Sequence, residues 1–220
     1  MTKRLKEICR AIPPSKVLAD VGCDHGYCAR YALDRGLCEK VYITDISEKC
    51  LEKAKSLLAH EIEEGKCIPL VGDGVSVLPE PCTVLIAGMG GEEIIKILLQ
   101  KMPPAFVLQP MKNTEKLRRF LIENDCKILL DYTFEDGKFY DLIVGVHGEK
   151  DSYTEREFVY GRDNLNHPSV AFRKKIRLER DKILGYLNAS PSKGEREKLD
   201  KRLQEKENLL NEIERHICSD

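Results

Sequence analysis

The segment from Val17 to Tyr27 constrains the fold more than any other part of this chain of 220 residues. Its first five residues, Val17–Val21, are mostly apolar and include β-branched side chains, which predicts a buried strand. Gly22 and Gly26 predict a tight turn, and helical spacing of apolar residues begins at Tyr27. In α/β sheets such a turn places a ligand over the carboxyl end of the strand, at the helix N-terminus. A plain strand-to-helix turn is the alternative interpretation.

Acidic residues in this turn indicate the chemistry of the ligand. Dinucleotide sites require G-x-G-x-x-G, but the second and third glycine positions, counted from Gly22, hold Asp24 and Tyr27. A carboxylate at Asp24 would also repel a pyrophosphate. Asp20 and Asp24 instead suit a ligand with a cationic end, such as the amino and sulfonium groups of S-adenosylmethionine. A nicotinamide oxidoreductase is therefore the weaker hypothesis.

Two later strands end in residues that suit the same ligand. Strand 40–45 closes on Asp45, whose carboxylate could accept from both hydroxyls of a ribose, although Asp45 could simply cap the next helix. Strand 67–71 is followed by Gly72-Asp73-Gly74. These glycines let the backbone close around a flat ligand, and Asp73 could accept from an adenine amine. A surface turn is the alternative for this loop.

The fourth and fifth predicted strands, 83–87 and 105–109, end in further candidate site residues. Gly88-Met89-Gly90-Gly91 follows the fourth strand. Because an exposed turn rarely needs three glycines in four residues, we expect the backbone to approach a ligand closely there, with Met89 as a flexible apolar wall. Gln109 ends the fifth strand and offers an uncharged donor and acceptor at the carboxyl edge of the sheet.

The end of the first domain predicts a mixed sheet. Asp136-Gly137 is a hairpin signal between two apolar runs, 127–134 and 138–147. Five alternating β/α units followed by an antiparallel hairpin predict a seven-stranded α/β domain over residues 1–150, with the last strand inserted antiparallel beside its neighbour.

Residues 151–220 are predicted to form a second, helical domain. Helical spacing returns from Pro168, a loop is expected at Asn188–Pro191, and a capping box at Ser192–Glu195 begins a second helix that buries apolar residues as far as Ile217. Two amphipathic helices joined by a short loop predict an antiparallel helical hairpin that resembles a two-stranded coiled coil.

Two basic surfaces are candidates for RNA contact, and a solvated helix face is the alternative for each. The net charge of −1 gives no global attraction to nucleic acid, so contact must be local. One surface belongs to a helix predicted over 113–124 and the other to the first C-terminal helix. The candidate RNA-binding residues are Lys112, Lys116, Arg118, Arg119, Arg173, Lys174, Lys175 and Arg177.

The nine cysteines favour neither a metal site nor a disulfide framework. Their number is odd and no C-x-x-C pair occurs. Reduced thiols fit a cytoplasmic protein, and the N-terminus lacks the apolar run of a signal peptide. No stretch approaches the length of a membrane span, so we expect neither a membrane nor a metal partner.

Three strings together resemble the TrmK family, the tRNA (adenine-22-N1)-methyltransferases. They are Asp20-Val-Gly-Cys-Asp-His-Gly-Tyr27, Ile86-Ala-Gly-Met-Gly-Gly91 and Leu108-Gln-Pro110. The resemblance covers essentially the whole chain. It implies a class I, Rossmann-like methyltransferase domain with a C-terminal coiled coil, S-adenosylmethionine as cofactor and tRNA as partner.

The resemblance also implies which residues form the site. The first glycine turn would line the methionine part of the cofactor, the ends of the next two strands would hold the adenosine, and the glycine-rich end of the fourth strand would border the reacting methyl group. The implied cofactor residues are Asp20, Gly22, Cys23, Asp24, His25, Gly26, Asp45, Ile46, Gly72, Asp73, Gly74, Ala87, Gly88, Met89 and Gly90.

The chemistry of adenine N1 indicates which catalytic groups to expect. N1 carries an in-plane lone pair and the product is cationic, so no strong base is required, and in-line positioning could supply most of the rate. Gln109, or a main-chain carbonyl near Met89, could hold the exocyclic amine. His25 and Tyr27 could stack on or orient the target base, although a structural hydrogen bond is the alternative for His25. Because N1 lies on the Watson–Crick edge, the base must flip out.

Two other functional classes stay open on the sequence. One is a methyltransferase that acts on another substrate, such as ribosomal RNA, a protein or a small molecule. The other is a catalytically silent RNA-binding module. The oligomeric state is also open, between a monomer and a weak dimer.

Overall fold

A single mixed sheet of seven strands organises the computed structural model, which describes residues 1–189 and 192–217, the last two by their backbone alone. The strands are β1 (Val17–Val21), β2 (Lys40–Asp45), β3 (Cys67–Val71), β4 (Thr83–Met89), β5 (Ala105–Pro110), β6 (Cys126–Asp136) and β7 (Lys138–His147). Their order is β3-β2-β1-β4-β5-β7-β6. The pairs among β1 to β5 are parallel, and β7 lies antiparallel between β5 and β6. The predicted seven-stranded mixed sheet is confirmed.

Helices cover both faces of the sheet, as the near-continuous apolar character of the parallel strands requires. They are α1 (Lys3–Arg10), α2 (Tyr27–Asp34), α3 (Glu48–Leu57), α4 (Ala59–Glu63), α5 (Gly91–Gln100), α6 (Thr114–Glu123), α7 (Glu155–Tyr160), α8 (Arg162–Asn166), α9 (Val170–Asn188) and α10 (Lys193–Ile217). One core cluster lies between the sheet and α1 to α3, and a second lies between the sheet and α5 and α6.

The polar, mixed stretch between the end of β7 and Pro168 carries no helix predicted from the sequence. It contains two short helices, α7 and α8. Thr154 and Glu157 form a capping box that begins α7, and Gly161, with φ of 87°, separates the two helices. The signal was present in the sequence as a T-x-x-E pattern.

The two C-terminal helices form the predicted antiparallel hairpin. Phe172 and Ile176, near the start of α9, pack with Leu210 and Ile213, near the end of α10. Ser192 precedes α10, as predicted. Its backbone N–H and its hydroxyl both donate to Glu195 Oε2, at 3.1 and 2.6 Å. The Ser190-Pro191 part of the predicted loop and the side chain of Ile217 lie outside the described residues.

The helical segment also closes the exposed edge of the sheet. Strand β6 is the edge strand, and three of its backbone N–H groups donate to side chains from the C-terminal segment. Ile128 N donates to Asp151, Asp131 N to Asp163 and Thr133 N to Asn164, at 3.2, 2.7 and 2.9 Å. This edge is therefore blocked against pairing with another strand. The boundary predicted at residue 150 stays a prediction.

Candidate functional site

Two adjoining cavities open at the carboxyl ends of the parallel strands. Cavity A, of about 410 Å³, lies against the ends of β1, β2 and β3 and one face of α5. Cavity B, of about 480 Å³, lies against α1, the turn after β1 and the end of β4. Gly22, Asp45 and Met89 line both. The structure thus brings the strand ends that the sequence singled out to one continuous site.

The glycine turn brings backbone into contact with the cavity wall. Gly22 and Gly26 have φ of 70° and 71°, and Asp24 between them has φ of 45°. A Cβ on Gly22 would lie 2.2 Å from Met89 Cε, the end of a flexible side chain, so it is the positive φ of Gly22 that favours glycine at this position. Gly26 does not line either cavity. Its part is structural, as the left-handed residue that precedes α2, and a Cβ there would lie 3.0 Å from Ala54 Cβ.

Asp20 is a buried carboxyl group at the floor of cavity B. Asp20 is 6% exposed. Burial raises its pKa to about 7, and a hydrogen bond from the backbone of Ala29 lowers it only in part. A carboxyl group in this state gains from a cation placed against it, because the cation stabilises the charged form.

Asp45 and Thr44 leave unused polar atoms in the wall of cavity A. Asp45 Oδ1 accepts from Ser47 N at 2.9 Å, and within the described residues its second oxygen has no hydrogen bond. The N-cap of α3 is Ser47, whose hydroxyl accepts from Cys50 N at 3.3 Å, so the alternative interpretation of Asp45 as the helix cap is wrong. Asp45 holds the backbone just before the helix and still has an acceptor for a ligand. Thr44 Oγ1 is buried without a partner among the described residues. Such groups favour a ligand with hydroxyls.

The opposite wall of cavity A comes from α5, which the sequence interpretation missed. Glu93, Lys96 and Gln100 line the cavity. Gln100 Oε1 accepts from the backbone N–H groups of Val75 and Ser76, both at 3.1 Å, and so fixes the loop that carries Gly72, Asp73 and Gly74. The signal was available, because polar residues at 93, 96 and 100 fall on one helix face. Ile46 also lines this cavity and is 74% exposed.

Cavity B carries a pair of rings and an ion cluster. His25 and Tyr27 stack with centroids 5.6 Å apart and planes 3° from parallel. Asp24 bonds His25 Nδ1 at 2.7 Å and Lys53 Nζ at 3.4 Å. Burial acts to raise the pKa of Asp24, but these two partners outweigh it and the pKa lies below its usual range. The hydrogen bond proposed as the structural alternative for His25 is present, and its ring still faces the cavity.

The end of β4 contains a bulge where the sequence predicted close backbone approach. Ala87 and Met89 pair with Gln109 and Pro110 of β5, whereas Gly88 between them has no register partner in either neighbouring strand. Bulges of this kind turn backbone groups out of the ladder beside active sites. Ala87, Gly88 and Met89 line cavity B, together with the buried thiol of Cys23, whose pKa burial raises. Gly90 lines neither cavity and instead precedes α5.

Gln109 does not reach either cavity, which corrects its predicted contact with the substrate. It is fully buried, and its amide is used within the protein. Oε1 accepts from Arg4 Nε at 2.8 Å, and Nε2 donates to the carbonyl of Pro110 at 2.8 Å. Arg4, which does line cavity B, was missed because nothing in the local sequence links it to a residue 105 positions away.

Arg118 is not a surface cation, which corrects its predicted contact with RNA. It is 1% exposed and forms a buried ion pair with Asp131. The segment that follows β7 covers the part of α6 that carries Arg118, whose Nη1 donates to the carbonyls of Phe158 and Val159.

The other predicted RNA contacts are half-buried or exposed, and most are held by acids. Arg119 pairs with Glu115 and Glu155, Lys116 with Glu92, Lys174 with Glu135, Lys175 with Asp141 and Arg177 with Glu214. Lys112 and Arg173 form no ion pair within residues 1–189 and 192–217. The predicted strip is therefore a mixed surface, and its RNA role stays a prediction.

Two further properties bear on possible ligands. Within the part of the chain that the structure describes, no three His, Cys, Asp or Glu side chains are grouped to hold a metal ion. No described helix is both long and apolar enough to cross a membrane.

Comparison with known proteins places the chain in a family. Residues 1–143 match the methyltransferase-domain family. A Mycoplasma pneumoniae protein named "Putative tRNA methyltransferase" is 33% identical over 177 residues, which cover 76% of this chain and 82% of that protein. The tRNA (adenine(22)-N(1))-methyltransferase of Bacillus subtilis is 28% identical over 160 residues, covering 69% of this chain and 67% of that one.

A solved structure extends the likeness of fold to the hairpin. M. capricolum TrmK in complex with S-adenosyl-homocysteine matches 97% of this chain and 99% of its own, with a TM-score of 0.84 at 20% identity. The sheet order and the cavities at the ends of β1 to β4 are what a methyltransferase domain requires, in agreement with these likenesses. The chain belongs to the methyltransferase-domain family and, within it, to the tRNA methyltransferases of the TrmK type.

Proposed function

We propose that this protein transfers a methyl group from S-adenosylmethionine to N1 of the adenine at position 22 of tRNA. The observation that carries the proposal is the pair of adjoining cavities that share Gly22, Asp45 and Met89. Cavity A suits the adenosine part of the cofactor, and cavity B would take the methionine end and leave room for a base beside it. The likeness to the B. subtilis tRNA (adenine(22)-N(1))-methyltransferase supports the position and the atom.

The residues present fit the cofactor. Asp45, with its unused oxygen, and the unpartnered Thr44 hydroxyl would hold the ribose in cavity A. Ile46 and the 72–74 loop would flank the adenine. Asp20, at the floor of cavity B, would stabilise the cationic methionine end. When bound, S-adenosylmethionine supplies a methyl group activated by its sulfonium.

The chain's own contribution to the reaction is to position the target base and exclude water. The lone pair of adenine N1 is already nucleophilic, and no residue is asked to remove a proton before attack. Holding N1 in line with the methyl group can lower the barrier by about 7–11 kcal/mol. Met89 forms the apolar wall between the two cavities and so separates the reacting atoms from solvent.

The base has a defined place to stack and to bond. Tyr27 is 45% exposed and stacks on His25, so a flipped adenine gains a platform in return for leaving its own stack. The bulged backbone at Gly88 offers a carbonyl without a register partner, which would accept from the exocyclic amine. Gln109 is therefore replaced by a main-chain group in this role.

We propose that basic residues of α6 and α9 bind tRNA outside the cavities. Arg173 and Lys112 are the leading candidates, because neither forms an ion pair with a described acid. We also propose the cytoplasm as the compartment, where tRNA is available and thiols stay reduced. All eight described cysteines are free.

The test is methyl transfer to unmodified tRNA transcripts, read by nucleoside mass spectrometry. We expect 1-methyladenosine that disappears when the adenine at position 22 is replaced by guanine. An Asp45→Ala variant serves as the site control and should lose cofactor binding. Methylation of another nucleoside, or of the substituted transcript, would refute the proposed position.

A further inference from the structure

Cavity B contains a cation that the cofactor chemistry does not explain. Asp20, Asp24 and Asp45 line one side, as a cationic cofactor requires. Arg4 lies in the same wall, and among the described residues that line this cavity it is the one lysine or arginine. A guanidinium there needs a different, negatively charged partner.

Arg4 is held in place by three neighbouring elements. Its backbone N–H donates to Asp136 Oδ2 and its Nε to Gln109 Oε1, both at 2.8 Å. Its guanidinium carbon lies 5.4 Å from the centre of the Tyr140 ring. These contacts use the Nε proton and one face of the guanidinium, and they involve no charged group at the guanidinium itself.

The outer edge of the guanidinium remains available. Within the described residues, no carboxylate lies at ion-pairing distance from its Nη atoms. The approach is close on one side, because a Cβ on Gly88 would lie 2.7 Å from Arg4 Nη2. A guanidinium that lines a cavity and has no described carboxylate at its Nη atoms can form a bidentate bond to a phosphate or carboxylate.

The residues that hold the Arg4 guanidinium lie on the far side of the site from cavity A. Gln109 is on β5 and Tyr140 is on β7, whereas cavity A lies over β1 to β3. Three strand spacings separate β1 from β7, which is about 14 Å. Cavity B is thus divided by charge, with Asp20, Asp24 and Asp45 near the ends of β1 and β2 and a cation anchored from β5 and β7.

We infer that Arg4 binds the phosphate of the flipped target nucleotide, and that Gln109 is a positioning residue that aims its guanidinium. The inference rests on the proposed function, since it assumes a nucleic acid substrate. It explains why Gln109 is buried beside the site without lining it. It also gives the flipped base a second anchor besides the His25–Tyr27 platform.

The experiment compares Arg4→Ala and Arg4→Lys with Lys6→Ala, a matched control that removes an exposed cation from the same helix. The readouts are the Kd for an unmodified tRNA transcript in the presence of S-adenosyl-homocysteine, its dependence on salt, and the Kd for S-adenosylmethionine. We expect Arg4→Ala to weaken tRNA binding about 10- to 100-fold, with the slope of log Kd against log salt lowered by about one. The tRNA affinity of Arg4→Lys should fall between those of the wild-type protein and Arg4→Ala, because lysine keeps the charge and loses the bidentate geometry of the guanidinium. The control should change tRNA binding less than threefold, and cofactor binding should not change in any variant.

A neutral phosphate provides the second arm. Replacing the phosphate that flanks the target adenosine with a methylphosphonate should weaken binding to the wild-type protein and should weaken binding to Arg4→Ala no further. Gln109→Leu should reproduce part of the Arg4→Ala loss in tRNA affinity and in salt slope, whereas a merely structural role would leave the slope unchanged.

Three outcomes would overturn the inference. Arg4→Ala could leave tRNA affinity and salt slope unchanged, the methylphosphonate could weaken both proteins equally, or Arg4→Ala could weaken binding of S-adenosylmethionine instead, which would assign the guanidinium to the cofactor carboxylate. Since binding is measured without turnover, a wild-type protein that binds tRNA but forms no 1-methyladenosine would refute the proposed function and leave the role of Arg4 to these readouts.

Discussion

Removing Arg118 should destabilise the protein without any direct effect on RNA. Arg118 Nε and Nη2 donate to the two oxygens of Asp131 at 2.8–3.0 Å. Its Nη1 donates to the carbonyls of Phe158 and Val159 at 3.1 and 3.3 Å. The side chain therefore joins α6 and β6 to α7, and both members of the ion pair are 1% exposed.

The size of the effect follows from what stays behind. Arg118→Met keeps most of the volume but leaves a buried carboxylate with one remaining side-chain donor, Tyr153, at 3.1 Å. Breaking a buried pair in this way costs about 3–5 kcal/mol. Replacing both partners, as Arg118→Met with Asp131→Leu, removes the stranded charge and should recover at least half of that loss. The matched control is Arg119→Ala, a partly exposed neighbour whose pairs are worth about 0–1 kcal/mol.

The pH dependence gives the result its sign. Burial raises the pKa of Asp131, the guanidinium of Arg118 opposes that, and its removal should raise the pKa further. At pH 5 the folded variant then holds a proton that the unfolded chain releases, so the variant gains stability as the pH falls. Urea unfolding at pH 7.5 and pH 5 measures both quantities. A loss below about 1 kcal/mol, or a loss of tRNA affinity at unchanged stability, would refute the burial argument and restore Arg118 as an RNA contact.

Three further results are expected. Because burial raises the pKa of Asp20 to about 7 and the cationic cofactor favours the ionised form, affinity for S-adenosylmethionine should fall as the pH drops from 8 to 6, by up to about tenfold per unit, and Asp20→Asn should flatten that profile in calorimetric titrations. Gly22→Ala should reduce cofactor affinity at least about tenfold while the thermal transition remains cooperative, since its Cβ would lie 2.2 Å from the nearest side-chain atom at a φ of 70°. Reversing Arg173, Lys174 and Arg177 to glutamate should weaken tRNA binding in a filter assay and spare cofactor binding, and an unchanged tRNA affinity would remove the hairpin from the RNA interface.

The sequence by itself determined the sheet and which strand ends line the candidate site. Apolar runs predict the strands, and the carboxyl ends of neighbouring parallel strands meet at one edge, so acids and glycines that end successive strands must gather there. Local pattern alone therefore predicts that Asp20, Asp45 and the 72–74 loop lie close together. The antiparallel hairpin at the end of the sheet followed from the Asp136-Gly137 turn in the same way.

Only the tertiary structure decided which polar residues face solvent and which cation lines the candidate site. Periodicity identifies the polar face of a helix but not what later packs on that face. Periodicity therefore predicts a surface position for Arg118, whereas in the structure the segment after β7 covers it. The contact between Arg4 and Gln109 joins residues 105 positions apart, and no local spacing encodes it. Strand ends are gathered by the geometry of the sheet itself, whereas these contacts depend on how separate elements pack, and that packing is what only the folded chain shows.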